Sequence, residues 1–164
     1  MRLYTRQEAD KMAKSIRRWN VLGWVLLGLG TGISIALCCL THTGIDRMMA
    51  IGAILSFTLG GWAWILIRKL YVVPVRAKQK HMDSILLCEA QGDFAEWTGT
   101  LQRQGEAVHI PGSIDMQKII LQTDQDRQIL HVLQDKVSLL PKDETPVTLR
   151  AVRKYITEVQ PWEK

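Results

Sequence analysis

The chain has 164 residues, 21 Lys and Arg against 16 Asp and Glu, a formal charge of +5, and a hydrophobic share of 47%. Its basic excess is confined to two short segments, which argues against a nucleic-acid interface, where basic and aromatic residues interleave on one soluble surface. Three cysteines are too few for a disulfide scaffold and keep no metal-ligand spacing with the scattered histidines, so small apolar fillers are expected at Cys38, Cys39 and Cys88.

Residues 1–18 form a basic leader: Arg2, Arg6, Lys11, Lys14, Arg17 and Arg18 stand against Glu8 and Asp10. Two apolar stretches follow, Val21 to Leu40 and Met48 to Ile67, and neither contains an ionisable residue. At ~1.5 Å per residue each reaches ~30 Å, the depth of a bilayer core. They predict a transmembrane hairpin over 19–68, with spans at about 20–40 and 48–68. The first stretch is too long for a signal core and has no Ala-x-Ala behind it, so it reads as an uncleaved anchor.

Charge orients the hairpin. The leader and the segment carrying Arg68, Lys69, Arg76, Lys78 and Lys80 are basic, whereas the loop from Thr41 to Arg47 sets one arginine against Asp46. Basic residues near span ends stay inside. A multi-pass protein of the plasma membrane is therefore expected, with both termini cytoplasmic. Arg17, Arg18, Arg68, Lys69 and Arg76 are expected to form a collar toward anionic headgroups of the bilayer. Trp19, Trp24, Trp62, Trp64 and Tyr71 sit near the inner ends of the spans, where amphipathic rings anchor at the headgroups.

Small residues recur every four positions, as Gly28, Gly32 and Ala36 in the first span and Gly52, Ser56 and Gly60 in the second. Small faces let helix backbones approach in lipid, where hydrophobicity contributes little. An antiparallel pair turning at Gly44 would set Gly28 against Gly60, Gly32 against Ser56 and Ala36 against Gly52, with Gly23, Gly30 and Gly61 off the pattern. The same stripes would also serve a seam between subunits. Ion paths need polar linings that Thr31, Ser34, Ser56 and Thr58 barely supply.

Residues 69–91 predict a juxtamembrane connector helix, with Pro74 in its first turn and Gln91-Gly92-Asp93 ending it. Two courses are open to it: continuing the second span, or bending onto the membrane surface. Residues 92–164 predict short strands: Phe94 to Gln102 with a bulge at Gly99, a turn at Gln104-Gly105, Glu106 to Ile110, a turn at Pro111-Gly112, Gln117 to Thr123, a turn at Asp124-Gln125-Asp126, Gln128 to Leu133, Val137 to Leu140, Val147 to Val152 and Tyr155 to Val159. So small a sheet must close to protect its edges, as a barrel of OB or SH3 type. Its core would draw on Trp97, Leu101, Val108, Ile119, Leu121, Ile129, Val132, Val137, Leu139, Leu149 and Ile156. The fold class is thus an α+β membrane protein: a two-helix hairpin, a connector helix and a small cytoplasmic all-β barrel. This layout resembles the membrane-bound NfeD-type proteins in architecture, and no site residue follows from the likeness.

No Walker loop, dinucleotide glycine pattern or HExxH is present. Asp124 and Asp126 straddle a turn, Asp115, Asp135 and Asp143 stand apart, and Ser113 and Ser138 lack an elbow context. His109 beside Ile110-Pro111 is the best single functional histidine. These groups do not converge as an enzyme requires, so no catalytic residue, cofactor or metal site is expected. The expectation is a membrane-anchored scaffold or protein-interaction module in a larger membrane assembly, its partner another membrane protein or a second copy. Alternatives are a regulatory domain sensing a small ligand or lipid, an accessory subunit of a transporter, and, last, a membrane enzyme.

Overall fold

The computed structural model describes residues 1–40, 47–110, 114–123 and 126–162, and within β1 the side chains of 104–106 and 110 are excepted. The predicted turns at Gly44, Pro111-Gly112 and Asp124-Gln125, together with Asp46 and Ser113, lie outside these residues. The fold is α+β: α1 (Arg6–Leu40), α2 (Arg47–Ile67), a π-turn (Arg68–Val72), α3 (Val73–Ala90), then β1 (Ala95–Ile110), β2 (Ile114–Gln122), β3 (Arg127–Leu133), a 3-10 turn (Gln134–Leu139), β4 (Pro146–Val152) and β5 (Tyr155–Pro161). The chain divides into two compact units, Met12–Arg76 and the combination of Met1–Lys11 with Ala77–Lys164.

The first unit is the helical pair. α1 and the helix from Arg47 to Ala90 are each long and apolar enough to cross a membrane, and only 11% of either apolar window is buried. That share sets both apart from the core helix of a soluble protein. Hydroxyls here are satisfied locally: Thr31 Oγ1 donates to the Leu27 carbonyl at 2.8 Å and Ser56 Oγ to the Gly52 carbonyl at 2.8 Å. The helix widens to a π-turn just before Pro74, with the Val73 N–H donating to the Arg68 carbonyl. Proline brings no amide and its ring crowds the preceding turn, which accounts for the widening there. Helix runs without a break from α2 through the π-turn into α3.

α3 ends in a Schellman cap. The Asp93 N–H donates to the Cys88 carbonyl at 3.0 Å and the Gly92 N–H to the Glu89 carbonyl at 3.1 Å. Gly92 holds φ +82°, the left-handed geometry that glycine adopts without a Cβ penalty.

The second unit is built on the sheet. Its strands pair in the order β1-β2-β3-β5-β4, and β4 returns to β1, so the pairings make a ring. β1 serves two neighbours: Ala95 to Thr100 pairs with β4, and Thr100 to Ile110 with β2. The link between β3 and β5 is parallel, through His131 and Tyr155. Buried positions alternate within each half of β2, Ile114 and Met116 and then Ile119 and Leu121, with a break at Gln117 and Lys118. Leu101 opposes Leu121, Ile119 opposes Leu130, and Met116 opposes Leu133, and all six side chains are buried with Val147, Leu149, Ala151, Val152 and Ile156.

Four expectations are corrected here. Gln104-Gly105 does not split two strands; β1 is continuous in backbone and shifts register between Arg103 and Ala107. No register shift falls at Gly99. A Cβ there would lie 2.3 Å from the Gln122 carbonyl oxygen, so close approach of the β2 end, not a bulge, requires glycine. Val137 to Leu140 is not a strand but part of the 3-10 turn, anchored by buried Leu133 and Leu140 while Leu139 is exposed. Of the core expected from sequence, Ile129 is also exposed, because Leu130 takes the inward position beside Ile119 and turns its neighbour out. Trp97, Val108 and Val137 are half-buried.

Residues 1–11, set apart in the sequence as part of a leader, complete this unit. The Leu3 N–H donates to the Thr157 carbonyl at 2.9 Å and the Val159 N–H to the Met1 carbonyl at 2.9 Å, which lays the segment along β5. Leu3 and Tyr4 are 1% and 2% exposed. α3 contributes Met82 and Ile85, both buried.

Candidate functional site

A cleft of about 420 Å³ opens in the second unit, lined by Arg2, Tyr4, Thr5, Arg6, Leu86, Glu89, Ala90, Phe94 and Arg150. Three pieces of chain build it. In the extended start Arg2 is exposed while Leu3 and Tyr4 are both buried, and Arg2 and Tyr4 both reach the cleft. Thr5 then caps α1: its Oγ1 accepts from the Glu8 N–H at 3.4 Å, as Thr-x-x-Glu sequences do at helix starts. The last turn of α3 brings Leu86, Glu89 and Ala90, and β4 brings Arg150.

Arg150 is committed within the protein. Its Nη2 and Nε donate to Glu96 Oε1 at 2.7 and 3.0 Å, and Nη1 lies 3.6 Å from Glu158 Oε2. Its guanidinium stands 4.4 Å from the centre of the Phe94 ring, a cation–π contact. Beneath the cleft, Tyr4 Oη accepts from the Leu133 N–H at 3.4 Å. Burial pushes the Tyr4 hydroxyl up to about 12, with Asp135 and Glu8 adding to the rise against the Leu133 bond, so it stays protonated.

Ion pairs tie the same unit together. Lys136 pairs with Glu8, Lys78 with Asp135, and Arg103 with Asp143. Asp135 and Asp143, isolated in sequence, thus have structural partners. His81 on α3 meets Tyr155 edge-on at 4.5 Å, and His131 lies 6.3 Å from the same ring. Desolvation by burial lowers the pKa of His81. It also lowers that of His131, with help from Lys154 and Lys118. His109 and Asp115 are cross-strand partners on β1 and β2, joined at 2.7 Å and both exposed. Asp126 holds the Arg127 N–H at 2.7 Å, and Asp124 lies outside the described residues. Among the described residues no group of three or more His, Cys, Asp or Glu is arranged to hold a metal.

In the helical unit, the close face of α1 is not the one expected. A Cβ on Gly30 would lie 2.7 Å from the Ser56 carbonyl oxygen and 3.1 Å from Gly60 Cα, whereas Gly28 and Gly32 have nothing within 4 Å. Gly28, Gly32 and Ala36 are exposed. At 100° per residue Gly30 points ~160° away from Gly28 and Gly32, so the four-residue stripe of α1 faces outward. The face used is Gly23, against Trp64, then Gly30, then Leu37, against Gly52. This seven-residue spacing returns almost to the same side every two turns. On α2, Gly60 is buried and Gly52 and Ser56 are half-buried.

The aromatic residues gather near one end of the pair. Trp19 stacks on Tyr71 at 4.4 Å, Trp24 meets Trp64 at 5.6 Å, and Arg68 lies 5.2 Å from the Trp64 ring centre. Trp62 stands apart and exposed. Arg17 and Arg18 line a groove with Lys14, Val21, Leu22 and Val25, while Lys69 and Arg76 are exposed.

No sequence motif marks the cleft as a binding site. Its one legible sign is Thr5-x-x-Glu8, which marks a helix start and makes the residues before it extended. Nothing local links Arg2 and Arg6 to Arg150. The chain matches no known protein-family model, and no curated protein is similar to it in sequence.

Proposed function

We propose that the protein is a membrane-anchored interaction module: an OB-type barrel tethered at the cytoplasmic face of the plasma membrane by a two-helix hairpin. One observation carries this reading. The segment before α1 and the chain after α2 pack into the same unit, through Leu3 with Thr157 and Met1 with Val159. Two spans between them return the chain to its starting side, which the pairing requires.

Several features support the parts. Exposed Val21, Leu29, Ile33, Ile54, Phe57, Leu59 and Leu66 make an apolar surface that water would not tolerate and lipid would. The ring order β1-β2-β3-β5-β4, with its parallel β3–β5 link, suits an OB-type barrel. The aromatic cluster and Arg17, Arg18, Arg68, Lys69 and Arg76 suit the inner headgroups of an anionic leaflet. Tethering raises the local concentration of the barrel for partners in the same membrane. The test is gentle extraction followed by identification of what co-purifies. Recovery of a stoichiometric membrane partner or a second copy is expected, and a lone monomer contradicts the assembly. The arginine-lined cleft favours a second reading, a domain that senses a small ligand or lipid.

A further inference from the structure

We propose that the cleft between the N-terminal segment, the end of α3 and β4 binds a single phosphate group carried by an organic molecule, with Arg2 and Arg6 as its cationic contacts. This deepens the sensing reading. The cleft lies wholly within the unit formed by 1–11 and 77–164, so its ligand is independent of whether the apolar helices cross a membrane.

The charges that line the cleft differ in availability. Arg150 is neutralised by Glu96 and Glu158. Arg2 and Arg6 are exposed, and among the described residues no ion pair holds either guanidinium. Guanidinium groups meet phosphate oxygens through paired N–H donors, which makes arginine the preferred residue for this contact. Arg6 also opens α1, and the start of a 35-residue helix adds positive potential at that point. Glu89 lines the same cleft and limits the negative charge it accepts. Two available guanidinium groups against one carboxylate suit one phosphate, not a polyphosphate or a nucleic-acid strand.

The remaining wall explains the organic part. Leu86, Ala90 and Phe94 line the cleft beside the arginines, and Phe94 is 41% exposed with one face on Arg150. The volume of about 420 Å³ is much more than a phosphate ion fills and falls in the usual range of small-molecule sites. The walls are held by buried neighbours, Leu3 and Tyr4 on one side and Met82 and Ile85 on another. The same chemistry is offered by a soluble phosphomonoester and by the headgroup of phosphatidic acid.

The experiment uses the full chain in nanodiscs of phosphatidylcholine. Glycerol 3-phosphate is titrated calorimetrically, and amide hydrogen exchange of residues 2–6 and 86–94 is compared with and without phosphatidic acid in the disc. Saturable binding of glycerol 3-phosphate, weakened about tenfold or more by Arg2→Gln with Arg6→Gln and unchanged by Arg127→Gln, identifies a soluble ligand. Added protection only with phosphatidic acid, lost in the double variant, identifies a lipid. Both residues are exposed, so the double variant is expected to fold, which its unchanged thermal midpoint verifies. If neither probe produces an effect that the double substitution removes, the proposal is wrong.

Discussion

The Leu3 amide donates to the Thr157 carbonyl at 2.9 Å, and the Leu3 side chain is 1% exposed. Residues at opposite ends of the chain are thus neighbours, and the segment that precedes the first apolar helix is part of the core that follows the second. The start of the chain behaves as a short edge partner of β5, covering polar backbone that an open strand would expose. Leu3→Ala should therefore destabilise the β-domain by about 2–5 kcal/mol, the usual range for deleting a buried leucine side chain. Thermal unfolding of the full chain in detergent checks it. An unchanged midpoint would mean that the segment is not docked.

The helical pair makes a discriminating prediction. Gly30→Leu forces a side chain into the Ser56 carbonyl and Gly60, whereas Gly32→Leu has open space around it. The first should lower the thermal midpoint of the hairpin or splay it, and the second should leave it within the error of the wild type. Distance measurements between spin labels on α1 and α2 read the difference. Equal effects from both would contradict the seam.

Gly99 should be the least replaceable residue of the sheet. A Cβ there meets the Gln122 carbonyl oxygen at 2.3 Å and the Thr123 nitrogen at 3.2 Å, and backbone on both strands is held by ladder bonds. Gly99→Ala should cost more than the roughly 1 kcal/mol typical of a random substitution, seen as a lower midpoint and faster amide exchange in β1 and β2.

Acid should loosen the contact of α3 with the sheet. Burial lowers the pKa of His81 and of His131, so the folded state holds these rings neutral while the unfolded chain protonates them near the ordinary value of about 6.5. The unfolded state then binds more protons as pH falls below that value, and stability falls with it. The contribution is fully present above about 6.5 and declines on acidification. The midpoint should drop between pH 7.5 and 5.5, and His81→Leu should lessen the drop. An identical pH dependence in the variant would show that His81 plays no part.

Legibility followed the range of the interactions. The apolar helices, the stop at Gly92 and most strand positions are local patterns, set by composition and turn chemistry, and they were readable. The facing side of α1 was not. A four-residue stripe and a seven-residue stripe are both present in it, and only the partner helix decides between Gly32 and Gly30. The inward turn of Leu130 in place of Ile129 depends in the same way on pairing with Ile119. The cleft was least accessible, since Arg2, Phe94 and Arg150 come together only after the start of the chain docks on the sheet.

The central claim is that the two apolar helices return the chain to the side from which it started, with the β-domain in the cytoplasm. Protease added to sealed cells, followed by detection of both chain ends, tests it most directly. Residues 1–11 and everything beyond Tyr71 should stay intact until the membrane is permeabilised, and alkaline carbonate or salt should not release the protein. Cleavage beyond Tyr71 from outside intact cells, or release by salt alone, would contradict the account.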